Sequence, residues 1–165
     1  MAAFAILAGS VVLSTGCATK RSGTSEVVVA PLGIPGSGAY AGGSIVNNSS
    51  AVMNAANNIQ AVVYFGFDQS NISSEAAAIL NQHASLLASN PSASVLVAGH
   101  TDERGSREYN MALGERRAQA VQSYLATKGV SAANVKVISY GEERPAATGS
   151  DEQSYAQNRR AELSY

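Results

Sequence analysis

From Gln60 onward, hydrophobic and polar positions switch between extended and helical spacing. Residues 61–67 (AVVYFGF) are β-branched and aromatic, which predicts a strand. Residues 68–74 are polar, and Ser73 or Ser74 is placed to cap a helix. Ala76, Ile79, Leu80, His83, Leu86 and Leu87 recur at helical spacing over 75–89, and Asn90-Pro91 stops that helix. A second strand (94–98, SVLVA) runs into a polar loop, Gly99 to Gly105. A long helix is expected over 106–128, ended by Lys128-Gly129. A third strand follows at 135–140 (VKVISY), then a loop over 141–150, a helical turn over 155–158 and a final alternating strand over 160–165 (RAELSY). The order β-α-β-α-β-turn-β predicts a two-layer α/β sandwich, a mixed four-stranded sheet with helices on one face.

Upstream the pattern is different. Residues 2–16 are apolar or small, and the first charged side chain is Lys20. Fifteen residues in a helix cover roughly 22 Å, short of the ~30 Å hydrocarbon core, so the run suits a secretory leader better than a membrane span. Leu13-Ser14-Thr15-Gly16-Cys17 resembles a bacterial lipobox, in which small residues precede a Cys that becomes the lipidated N-terminus. Several acyl chains on Cys17 would anchor the chain stably, since each buried CH₂ contributes about 0.8 kcal/mol. Ala18, rather than Asp, follows the Cys, which favours the outer membrane. Residues 18–58 are rich in Gly, Ser, Asn and Ala and read as a tether with an r.m.s. span of roughly 35 Å. Residues 51–58 could begin a helix. The expected division is a leader over 1–16, a lipidated N-terminus and tether over 17–58, and a folded domain over 59–165.

Charge narrows the function. Charged residues make up 14% of the 165, against about 25% in ordinary soluble proteins. The net charge is −1, which argues against bulk binding to nucleic acid or anionic lipid. Yet residues 102–117 hold eight charged side chains out of sixteen. On a wheel centred on Val121, with about 100° per residue, Arg117 falls about 40° and Asn110 about 20° from the apolar centre. Leu113 lies at the stripe's edge, about 80° away, and Arg116 points outward. An inward Arg needs a partner, and Asp102, at the end of the second strand, is the nearest candidate. Asp102 and Arg117 either pair as a staple or flank a cleft of both signs. Such a cleft suits a zwitterion, with ammonium toward Asp102 and carboxylate toward the Arg117 fork.

His100, Asp102 and Glu103 match no metal-ligand spacing, and no activated nucleophile is evident. No enzyme activity, cofactor or metal is expected, and His100 is expected to hydrogen-bond locally where its strand ends. The segments VVYFGFDQSNI, GHTDERGSREYNMALGERRAQAV, SYGEERPAATG and YAQNRRAELSY resemble the peptidoglycan-associated lipoproteins of the OmpA C-terminal-like superfamily. The resemblance covers roughly residues 60–165 and implies non-covalent binding of the meso-diaminopimelate in peptidoglycan stem peptides. It implies that Asp102 takes the ammonium and Arg117 the carboxylate. Phe67, Asp68, Arg104 and Leu113 would line the same cleft, with Asn110 nearby. It also implies docking to TolB, the periplasmic propeller protein of the Tol system, on an overlapping surface. The competing expectation is a protein-bridging module that never touches the wall. Replacing Asp102 or Arg117 by Ala is expected to abolish wall retention while the fold survives.

Overall fold

The computed structural model describes residues 48–165. The leader, Cys17 and the tether up to residue 47 lie outside the described residues. The element order is α1 (Ser50–Ala56), β1 (Val62–Tyr64), α2 (Ser74–Ser89), β2 (Val95–His100), α3 (Arg107–Thr127), a 3-10 turn (Ala132–Asn134), β3 (Val135–Gly141), α4 (Glu152–Asn158) and β4 (Arg160–Ser164). The sheet order is β1-β4-β2-β3. Strand β4 runs antiparallel to both β1 and β2, with Val62 opposite Glu162 and Ala98 opposite Glu162. Strands β2 and β3 are parallel, Val95 opposite Val135, and α3 is the crossover between them. The sheet is therefore mixed, as its sequence pattern implies.

Side-chain caps start the helices where the polar runs predicted. The Ser73 hydroxyl accepts from the N–H of Ala76, and the Ser106 hydroxyl from that of Tyr109. Leu80 and Leu87 of α2 and Ala118, Val121 and Leu125 of α3 pack on Val63, Val95, Val97, Ala161 and Leu163 of the sheet. Val121 and Leu125 are fully buried, and each contributes about 1.5–3 kcal/mol. Helix α3 sits unusually close to β2. A Cβ added to Gly99 would lie 1.8 Å from the carbonyl oxygen of Gly114. Only a pair of glycines allows that approach, and it brings α3 down onto the end of the strand that leads into Asp102.

Several boundaries differ from the sequence expectation: β2 runs on through Gly99 to His100, and α4 starts at Glu152 rather than at Tyr155. Strand β1 stops at Tyr64; the Phe65 N–H still donates to the Arg159 carbonyl at 2.9 Å, and residues 66–69 then leave in a turn. The folded unit also begins earlier than residue 59. Val52 and Ala56 of α1 are buried, and Val52 belongs to the core. The Asn48 amide brackets the backbone of Ser94, donating to its carbonyl at 2.7 Å and accepting from its N–H at 2.8 Å. Small polar residues hide this segment in the composition, but two apolar side chains on one helix face dock it.

Candidate functional site

The site forms where α3, the turn after β1 and the C-terminal end of β2 meet. Arg117 is completely buried. Its Nε donates to the Gln69 carbonyl at 2.9 Å, Nη1 to the His100 carbonyl at 2.7 Å and Nη2 to the Gly66 carbonyl at 3.0 Å. Its guanidinium also lies 5.3 Å from the centre of the Phe65 ring. Burial pushes its pKa down to about 10, so it is charged at neutral pH. The turn it holds is tight. The Gln69 N–H donates back to Gly66, and Asp68 has a left-handed φ of 53°, which Asp tolerates better than most residues. Arg117 thus fixes the turn that presents Phe67 and Asp68.

Asp102 is not the partner of Arg117. It is 4% exposed and bonded to two other arginines. One carboxylate oxygen accepts from the Arg104 backbone N–H at 3.2 Å, and the other from Arg104 Nη2 at 2.6 Å and Arg159 Nη1 at 3.3 Å. Burial pushes its pKa up, but the bonds from Arg104 and Arg159 outweigh burial and hold it below the usual carboxylate value. The inward Arg took backbone carbonyls instead, because three of them converge where two strands end.

Arg104 stacks between two rings, 4.2 Å from the centre of Phe67 and 4.4 Å from that of Tyr155, with Nη1 3.4 Å from Glu152. Arg159 bonds Glu152 at 2.8 Å and the Phe65 carbonyl at 3.2 Å.

These groups wall a cavity of about 230 Å³. Phe67, Asp68, Asp102, Arg104, Asn110, Leu113 and Arg117, the seven residues singled out from sequence, all line it. Thr101, Gly105, Tyr109 and Arg159 line it as well and were not foreseen. The Tyr109 hydroxyl donates to Asp68, and the Asn110 amide to Glu142. The signal for Arg159 was present: it directly precedes β4, and two-residue alternation puts it on the same side as Ala161 and Leu163, which are in the core. The wheel's outward assignment of Arg116 agrees with its exposure.

His100 is a correction. Its ring nitrogens have no well-formed hydrogen bond. It is 2% exposed, tilted against Tyr140 with 5.4 Å between ring centres and 4.0 Å from Glu162. Burial and the nearby Arg160 lower its pKa to about 4. Among the described residues no group of three His, Cys, Asp or Glu side chains is placed to hold a metal, and no described helix is long and apolar enough to cross a membrane.

The OmpA family model matches residues 64–159. The peptidoglycan-associated lipoprotein of Pseudomonas aeruginosa is 46% identical over 160 residues, 97% of this chain and 94% of the relative. The chain belongs to the peptidoglycan-associated lipoproteins. The Haemophilus influenzae member is 57% identical over 103 residues, 62% of this chain and 67% of its own. The crystal structure of the Burkholderia pseudomallei peptidoglycan-associated lipoprotein superposes with a TM-score of 0.63 at 48% identity, covering 64% of this chain and 90% of that one. The α/β fold is therefore that of the peptidoglycan-associated lipoproteins and the OmpA family. The Pseudomonas alignment leaves so few residues out that it takes in Cys17 and the tether.

Proposed function

We propose that this chain is an outer-membrane lipoprotein that binds peptidoglycan non-covalently through meso-diaminopimelate and links membrane to wall within the Tol-Pal system. Its role is structural, not enzymatic. Cys17 carries the lipid, the tether spans the gap, and the domain from about Asn48 grips the stem peptide. The observation that carries the reading is the cleft itself. Two carboxylates, Asp68 and Asp102, and three arginines surround a space of about 230 Å³, a match for a head group with ammonium and carboxylate on one carbon. The ammonium takes Asp102 by displacing Arg104 Nη2. Arg159 stays on Asp102 and keeps it charged. The carboxylate takes the N–H on each terminal Arg117 nitrogen that no backbone carbonyl uses. Phe67 and Leu113 cover the methylene chain, and Asp68 and Asn110 give the rim its polar groups. TolB, docking over the same cleft, competes with the wall.

The test is sedimentation of the detergent-solubilised full chain with purified peptidoglycan. Asp102→Asn should lower retention at least about thirtyfold, as expected when one partner of a buried charged contact is neutralised, while Arg116→Gln retains it. Equal retention of Asp102→Asn and wild type refutes the reading. The closed Asp102–Arg104–Arg159 network then favours the second one, a protein-bridging module without wall contact.

A further inference from the structure

Any pull on the chain upstream of Asn48 enters the described domain at its N-terminal side. From there the chain runs through α1, residues 57–61 and β1 to the turn over 66–69. Among the described residues β1 is an edge strand, with three residue pairs to β4. Only Phe65 separates its end from Gly66, whose carbonyl Arg117 holds, and the same turn presents Phe67 and Asp68 to the cleft. A pull that reached β1 would therefore reach the site.

Two features stand in the way. The first is the Asn48 amide, which holds both backbone groups of Ser94, at 2.7 and 2.8 Å. Helix α1 does not need it, because the Ser49 hydroxyl already caps the helix by accepting from the Val52 N–H. The bracket lies outside the helix, on the side from which a pull would come. It ties the chain to the residue before β2, an interior strand. Load entering at Asn48 is thus passed to the middle of the sheet. The second feature is α1 itself. It is seven residues long and buries Val52 and Ala56. It borders a cavity of about 330 Å³ that Met53, Ala56 and Asn57 share with His83, Leu163 and Tyr165. A short helix held by two side chains beside open space detaches more easily than the rest of the domain.

We propose that the Asn48–Ser94 bracket and α1 form a strain-relief clamp. At low load the bracket diverts the pull into β2. At higher load bracket and α1 let go together, and residues 48–61 supply up to roughly 50 Å of extended chain while β1 and the turn stay in place. The source of the pull rests on the reading of Cys17 and the cleft given above, whereas the order of release does not.

Magnetic tweezers on the full chain test that order, with one handle on an unmodified Cys17 thiol and the other on the thiol introduced by Gln119→Cys, an exposed position of α3. The otherwise unchanged chain should show a reversible step of under about 50 Å before the domain unfolds. Asn48→Ala should shift that first equilibrium toward the open form roughly thirtyfold at equal force, the change for two hydrogen bonds of ordinary strength. It should leave the force of global unfolding unchanged. Val52→Ala should lower the force of the first step as well. Coupling to the site is read with the same Cys17 handle and immobilised peptidoglycan in place of the second. At a load between the two first-step forces, Asn48→Ala should leave the wall several times faster than wild type, while its sedimentation with peptidoglycan at zero load is unchanged. A single unfolding step with nothing before it overturns the proposal, as do equal lifetimes under load. An Asn48→Ala chain that loses global unfolding force, or retention at zero load, overturns it too, because the bracket would then belong to the fold or the site. If wild type fails to hold peptidoglycan at zero load, the wall-binding reading falls, and the tweezers steps still decide the clamp.

Discussion

Arg117→Ala should cost the fold more than it costs any ligand contact. Three N–H groups of Arg117 donate to the carbonyls of Gln69, His100 and Gly66 at 2.9, 2.7 and 3.0 Å. Hydrogen bonds to a charged group contribute about 1.5–3 kcal/mol each. Part of that sum is offset because the variant no longer buries a cation. A net loss of about 3–5 kcal/mol remains, the range for breaking a buried ionic group. Against a domain stability of about 5–15 kcal/mol this is a large fraction. At about 4 °C per kcal/mol for a domain of this size, Tm falls by roughly 12–20 °C. Thermal and urea melts followed by circular dichroism measure it. Arg117→Lys should fall between the two, because one ammonium cannot reach carbonyls on two separate segments as a planar fork does. A loss under about 1 kcal/mol in Arg117→Ala would refute the view that this side chain holds the turn over 66–69 to the end of β2. The sequence-based expectation that the fold survives Arg117→Ala then holds only with a much smaller margin of stability. A wall-binding defect in that variant reports a displaced turn as well as a missing contact, and Asp102→Asn is the cleaner probe.

Two further outcomes follow from the packing and the buried histidine. Gly99→Ala places a methyl where the Gly114 carbonyl lies, so α3 must move off β2; Tm should fall sharply and ligand affinity with it, and a variant with wild-type melting and binding would show that the close approach is dispensable. His100 binds a proton at about 4 when folded, against 6.5 for the ordinary group, so the unfolded chain holds more protons between those values. Stability therefore falls as pH drops from 6.5 toward 4. Urea midpoints across that range should decline more gently in His100→Gln, and parallel curves would contradict the assignment. His83, whose pKa is also lowered by burial as it bridges Gln60 and Tyr165, leaves a residual slope in the same direction.

How far the site was legible depends on whether its signal was local. The helical wheel placed Arg117, Asn110 and Leu113 inward because helix geometry converts spacing into direction without further information. All three line the cleft. The strand-end position of Asp102 was equally readable from the run SVLVA and the polar loop after it. The partners were not readable. Arg117 bonds carbonyls 17, 48 and 51 residues away, and a backbone carbonyl leaves no mark in the identity of its residue. Charge complementarity pointed to Asp102, the carboxylate at the strand end, while packing delivered a backbone cradle. The same limit hid Arg159, 57 residues from Asp102, and α1, whose docking depends on Val52 meeting a core formed by later residues. The consequence reaches the mechanism. A cleft with Asp102 and Arg117 free on opposite walls would bind a zwitterion directly. In this cleft Asp102 is already held by Arg104, so on the proposed reading entry of the ammonium exchanges one cation for another. On that reading affinity depends on how firmly Arg104 is held, and Tyr155, which stacks on Arg104 without lining the cavity, is where weakening the stack should change wall binding without removing a group assigned to the ligand.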